Sequence, residues 1–149
     1  MQFLYRTRRL LFRALDVRTR GAKIMLFNQA GELLLVRNSY GSSELFVLPG
    51  GGIRRGETPQ AAAAREVREE AGVDARELAL VSTHFSTAEG WRDTIYLFRG
   101  KTDQEPVADG REVIEARFFP LGALPATVSG AALRRIAEHK GEREPDGSW

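Results

Sequence analysis

The chain has 149 residues, 42% of them hydrophobic and 28% charged, and its 22 Lys and Arg against 20 Asp and Glu leave a net charge of +2. That length and mix predict one soluble globular domain, residues 1–149, with a core of its own. Cys is absent, which excludes disulfides, thiolate nucleophiles and Cys-based zinc, iron–sulfur or redox sites, and no run of about 18 apolar residues could span a membrane.

The near-neutral charge demands no nucleic-acid or membrane partner, although nearly all the basic residues are Arg, the better bidentate partner for phosphate. Residues 1–20 read as an N-terminal extension. Arg6, Arg8, Arg9 and Arg13 interrupt the apolar stretch that a secretory signal needs. An amphipathic helix or strand packing Leu4, Leu11 and Leu15 on the domain is expected instead, and a cytoplasmic location with it. If the segment is helical, Arg6, Arg9 and Arg13 share a face.

Residues 22–27 and 32–37 are β-prone apolar runs around Asn28-Gln29-Ala30-Gly31, so a hairpin is predicted. A third short strand, 44–48, runs into the loop Pro49-Gly50-Gly51-Gly52. The strongest helix signal covers 58–72: Thr58 as cap, Pro59 at the first position and Gly72 as a left-handed stop. Strands follow over 78–85, 94–100 and 116–120. The second is apolar on both faces, Ile95 and Leu97 against Tyr96 and Phe98, as in a central strand covered twice. A helix over 129–140 should turn Leu133 and Ile136 inward and Arg134, Arg135 and Glu138 outward. Residues 141–149 read as a polar tail. This order predicts an α/β fold, a mixed sheet between helices.

Residues 51–73, GGIRRGETPQAAAAREVREEAGV, hold the chemistry. At about 100° per residue, Glu70 falls near +40° and Glu69 near −60° from Glu66, so three carboxylates share a helix face. Ala63, Ala64, Val67 and Ala71 form the apolar stripe beside them. Like charges at this spacing repel and oppose the helix dipole near its C-terminus. A hard divalent ion, Mg²⁺ or Mn²⁺, would relieve both penalties. A solvated acidic face, with Arg65 pairing Glu69, is the alternative. Glycines 50, 51, 52 and 56 ahead of the helix let backbone approach a phosphate closely.

Gly51, Glu57 and the run Arg65-Glu66-Val67-Arg68-Glu69-Glu70-Ala71-Gly72-Val73 resemble the signature of the Nudix hydrolases at every fixed position. The resemblance implies an α/β/α sandwich and metal-dependent hydrolysis of a nucleoside diphosphate linked to another moiety. It implies that Glu66, Glu69 and Glu70 ligate Mg²⁺ or Mn²⁺, with the Gly50 carbonyl as a further oxygen ligand. It makes Glu57 and Arg65 a structural ion pair and Gly72 the helix stop. The general base is expected from Glu66, or from Glu112 or Glu115 outside the motif. Substrate contacts are expected from Gly51, Gly52 and Arg37, with Tyr40, Phe85 and Trp91 as stacking candidates. His84 is expected to be structural, and His139 and Trp149 carry no assignment. Subclass markers are missing over 87–91, and a zinc-binding Cys cluster is excluded. A nucleotide-type diphosphate is therefore the expected partner, and a homodimer is an expectation from the family. Two other readings stay open: a non-catalytic nucleotide-sensing module, and an RNA 5′-end pyrophosphohydrolase.

Overall fold

A computed structural model describes residues 18–87 and 92–149. The N-terminal leucines, the basic face of Arg6, Arg9 and Arg13, and Trp91 lie outside the described residues. The elements are β1 (Arg18–Phe27), β2 (Leu33–Asn38), β3 (Phe46–Val47), β4 (Gly50–Gly52), α1 (Pro59–Ala71), β5 (Arg76–Ser86), β6 (Arg92–Lys101), β7 (Val113–Phe119) and α2 (Gly130–His139). The strands form one mixed sheet in the order β3-β2-β1-β6-β5, with β4 paired to β1 and β7 to β2. β1 and β6 run parallel in register from Arg18↔Arg92 to Phe27↔Lys101.

Local chemistry sets the helix that matters most. The Thr58 hydroxyl accepts from the Ala61 N–H at 3.1 Å, and Gly72, at φ 65°, closes the last turn through its N–H to the Arg68 carbonyl. Ala62, Ala63, Val67 and Ala71 are buried against the sheet, and three of these four are alanines, so the helix axis can lie close to it.

Each face of the sheet carries its own core. Ala22, Ile24, Leu26, Leu34 and Phe98 pack against α1, and Met25, Phe27, Leu33, Leu35 and Leu97 pack against Ala132 and Ile136 of α2. That is why Leu33 to Val36 are all buried, with no polar alternation. In β6, Tyr96 and Phe98 face the α1 core and Leu97 the other, as its two-sided apolar pattern predicts.

Four expectations need correction. The hairpin is closed only at Phe27↔Leu33; beyond it β2 pairs with β7, and β1 pairs with β6 and β4. Residues 50–52, expected as loop, form a strand paired to β1, whose backbone leaves no room for a Cβ at Gly50. Leu133 is exposed, whereas Arg135, expected outward, is 1% exposed and ion-paired to Glu138 at 2.7 Å. The tail does not hang free: the Phe85 N–H donates to the Gly147 carbonyl at 2.8 Å. Among the described residues no helix is long and apolar enough to cross a membrane.

Leu34 and Leu35 are neighbours in sequence but serve opposite cores. Leu34→Ala and Leu35→Ala should each destabilise the fold by about 2–5 kcal/mol in chemical denaturation. A sheet covered on one face would feel only one of them.

Candidate active site

The site is built around the Gly50 peptide. β4 lies antiparallel to β1 with Lys23↔Gly50 and Ala22↔Gly51 as partners. Gly50 has φ 142°, and a Cβ there would fall 2.1 Å from the Ala22 carbonyl oxygen, so no side chain fits. A Cβ on Gly51 would fall 2.6 Å from the Glu66 carboxylate. The absence of side chains thus brings loop backbone directly against the acidic face of α1.

On that face the three carboxylates differ sharply. Glu70 is 6% exposed, and its Oε2 accepts the Gly50 N–H at 3.1 Å. Burial pushes its carboxyl up to about 7; the Lys23 charge and the Gly50 hydrogen bond oppose the rise, and the Glu66 and Glu112 charges add to it. Glu66 is mostly buried and accepts from Arg65 Nη1 at 2.7 Å. Glu69 is half-exposed and lies 3.3 Å from the same guanidinium and 3.5 Å from that of Arg54.

Arg65 is the hub. Its Nε and Nη2 donate to the two Glu57 oxygens at 2.7 and 2.9 Å, and Nη2 also donates to the Gly52 carbonyl at 2.9 Å. The Arg65 pair and the Arg54 N–H hold the Glu57 carboxyl down at about 2. One side chain therefore ties the loop, the helix and two of the three acids together. Gly72 ends α1 beyond them.

The remaining candidates are scattered. Arg37 and Glu115 are cross-strand partners joined at 2.8 Å, and Arg117 approaches Glu115 at 3.6 Å. Glu112 is exposed on the bend before β7, and its charge is felt at Glu70. Phe85 and Tyr40 are exposed at 63% and 58%, and neither lines the cavity beside the loop. His84 is fully buried; burial first, then the Arg135 charge, lowers its pKa, consistent with a structural place. His139 stacks on Phe27 at 4.9 Å.

Sequence reasoning missed Lys23. Its ammonium donates to the Leu48 and Gly50 carbonyls, each at 3.3 Å, and sits in the field of Glu70, Glu66 and Asp93. Burial lowers its pKa, and the carboxylates resist that shift. The available signal was a lone cation inside the apolar run 22–27. Lys23, Gly51 and Gly52 line a cavity of about 430 Å³, with Thr19, Asp93 and Trp149 also on its wall. Thr19 and Asp93 face each other across β1 and β6 and share a 2.8 Å hydrogen bond.

Among the described residues no three acidic or imidazole side chains are gathered on one point. Glu66 and Glu69 turn to Arg65, and Glu70 to Gly50. The donor set nevertheless suits a hard divalent ion: all oxygen, three carboxylates on one helix face, one of them buried without a direct cationic partner.

The family model for the NUDIX domain matches residues 17–140. A Bacillus subtilis (strain 168) protein, whose name proposes 8-oxo-dGTP diphosphatase activity, is 31% identical over 82% of this chain and 80% of its own length. The NAD-capped RNA hydrolase NudC of Stutzerimonas stutzeri (strain A1501) is 29% identical over 82% of this chain and 46% of its own. The crystal structure of a MutT NUDIX hydrolase from Burkholderia pseudomallei superposes with a TM-score of 0.72 at 20% identity, covering 81% of this chain and 97% of that one.

A carboxyl raised in the folded state stabilises the fold below its unfolded pKa, and that contribution is lost as pH rises through the folded value. For Glu70 the window runs from the ordinary 4.5 to about 7. Between about pH 5 and pH 8 the metal-free protein should lose about 2 kcal/mol of stability relative to Glu70→Gln, read by urea denaturation. Parallel pH curves for the two proteins would show that Glu70 ionises without penalty.

Proposed function

The chain belongs to the NUDIX family and is a pyrophosphohydrolase of nucleoside diphosphates linked to another moiety; we propose that Glu66, Glu69, Glu70 and the Gly50 carbonyl hold the divalent ion, Mg²⁺ or Mn²⁺, for that reaction. Hydrolases of this family use divalent metals. When bound, the ion supplies Lewis acidity toward the diphosphate oxygens and toward water. The observation that supports the ligand set best is Glu70, a carboxylate buried beside the glycine loop and anchored by Gly50 rather than by a cation of its own.

The chain's own residues have separate tasks in this reading. Arg65 and Glu57 fix the loop against α1. Arg65 also pairs with Glu66 and Glu69, the carboxylates that would hold the ion. The Glu69 contact is half-exposed, and such pairs are worth about 0–1 kcal/mol, so releasing it is easy. Lys23 donates to the Gly50 carbonyl and lies on the cavity wall, where it can meet a phosphate oxygen. The backbone of Gly51 and Gly52 lies open to the same space. Positioning and charge stabilisation of this kind make up most of what phosphoryl transfer needs.

For the general base we assign Glu112 over Glu115. Glu115 is held by Arg37 and Arg117, whereas Glu112 is exposed on the bend just before β7. Glu112→Gln should lower kcat by about a hundredfold or more with KM little changed, and Glu115→Gln should not. The reverse ranking would move the assignment.

The ligand assignment is tested by turnover, with and without Mg²⁺, of ADP-ribose, NADH, diadenosine polyphosphates, (deoxy)nucleoside triphosphates and 5′-capped RNA. Glu69→Gln and Glu70→Gln should each remove several kcal/mol of transition-state stabilisation, about a thousandfold in kcat/KM. Full activity in both variants would remove these residues from the metal site.

A further inference from the structure

We propose that Trp149, held in place by the segment 146–149, forms a wall of the substrate cavity and that its indole positions the aromatic base of the nucleotide. The inference rests on the hydrolase reading above but uses none of its carboxylates.

The segment is fastened far more firmly than a polar tail requires. The Phe85 N–H donates to the Gly147 carbonyl at 2.8 Å, and the Trp149 N–H donates to the Phe85 carbonyl at 3.2 Å, which adds the segment as a short parallel bridge to β5. Side chains of α2 hold the other side: Arg135 Nη1 donates to the Ser148 carbonyl at 2.7 Å, and Arg134 Nη2 to the Trp149 carbonyl at 2.6 Å. Asp146 closes the turn by accepting from the Ser148 N–H and hydroxyl at 2.9 and 2.6 Å. Arg135 and His84, 1% and 0% exposed, lie beneath. A guanidinium is buried at large cost unless it is paired and hydrogen-bonded; here Glu138 takes Nη2 and the Ser148 carbonyl takes Nη1, while Nε has no partner. The tail backbone thus completes a buried polar cluster, and the cluster in turn fixes the tail.

What this fixes is the indole. The Arg135 guanidinium sits 5.3 Å from the Trp149 ring centroid, and the His84 ring meets it edge-on at 5.6 Å. The ring also packs on the α2-side core. It shares its cavity with Gly51, Gly52 and Lys23, the groups assigned to the diphosphate, and with the Thr19–Asp93 pair. About 430 Å³ is within the range that encloses a small ligand. An immobilised aromatic wall beside a phosphate-binding loop suits a stacked base, and stacking accepts any base because each has a π-face.

The test is equilibrium binding of ADP, GDP and inorganic pyrophosphate, each with Mg²⁺, to the intact chain and to Trp149→Ala and Trp149→Phe. Trp149→Ala should weaken ADP and GDP about tenfold, leave pyrophosphate within about twofold, and be largely rescued by Trp149→Phe. A second readout needs no change at the site: in Trp91→Phe protein, Trp149 is the sole indole, and ADP or GDP should quench it while pyrophosphate should not. Unchanged nucleotide affinity, equal weakening of nucleotide and pyrophosphate, or no quenching overturns the proposal. Loss of turnover in Glu70→Gln with no effect at Trp149 removes this inference alone. Trp149-dependent binding with turnover indifferent to Glu69 and Glu70 removes the metal-site reading alone.

Discussion

Backbone contact at Gly50 is the constraint from which the rest of the site follows. Its N–H holds Glu70 and its carbonyl holds Lys23, so one peptide joins the helix, the sheet and the local charge balance. This peptide can sit there only because β4 approaches β1 more closely than any Cβ allows. The small residues on the buried side of α1 serve the same end from the other direction. They bring the helix near enough for a glutamate on its last turn to reach the strand backbone.

The second organising fact is excess negative charge. Glu66, Glu69 and Glu70 are set on one helix face near its C-terminus, where neighbours and dipole both disfavour them. The fold offsets this chiefly with two monovalent cations placed differently, Arg54 reaching only Glu69. Arg65 pairs with Glu66 and Glu69 while bracing the loop through Glu57 and Gly52. Lys23 offsets Glu70 without a direct bond to it, and Glu70 stays easier to protonate than an ordinary carboxyl. A divalent cation would be a better match to this arrangement than either side chain.

Much of this was legible in the chain because it is encoded locally. Thr58, Pro59 and Gly72 mark the ends of α1 whatever surrounds it, and the spacing of the acids on the helix follows from its pitch. The two-sided pattern of β6 announced a sheet covered on both faces. The errors fall where long-range partners decide. Glycine favours turns in isolation, so β4 emerges only from its pairing with β1. Arg135 looks like a surface residue until His84 and Ser148, distant in sequence, supply its burial site. That Arg37 and Glu115 pair with one another follows only from the register of β2 and β7. Lys23 was visible as a break in an apolar strand, but nothing short of the fold could say what it faces.

The most direct measurement is binding of Mn²⁺ alone, followed by electron paramagnetic resonance, in the intact protein and in the Glu66→Gln, Glu69→Gln and Glu70→Gln variants. The account predicts that each substitution weakens Mn²⁺ binding at least about tenfold, the order of effect that loss of one supporting group has on a metal site. Mn²⁺ bound equally well by all four proteins would place the ion elsewhere and contradict the account.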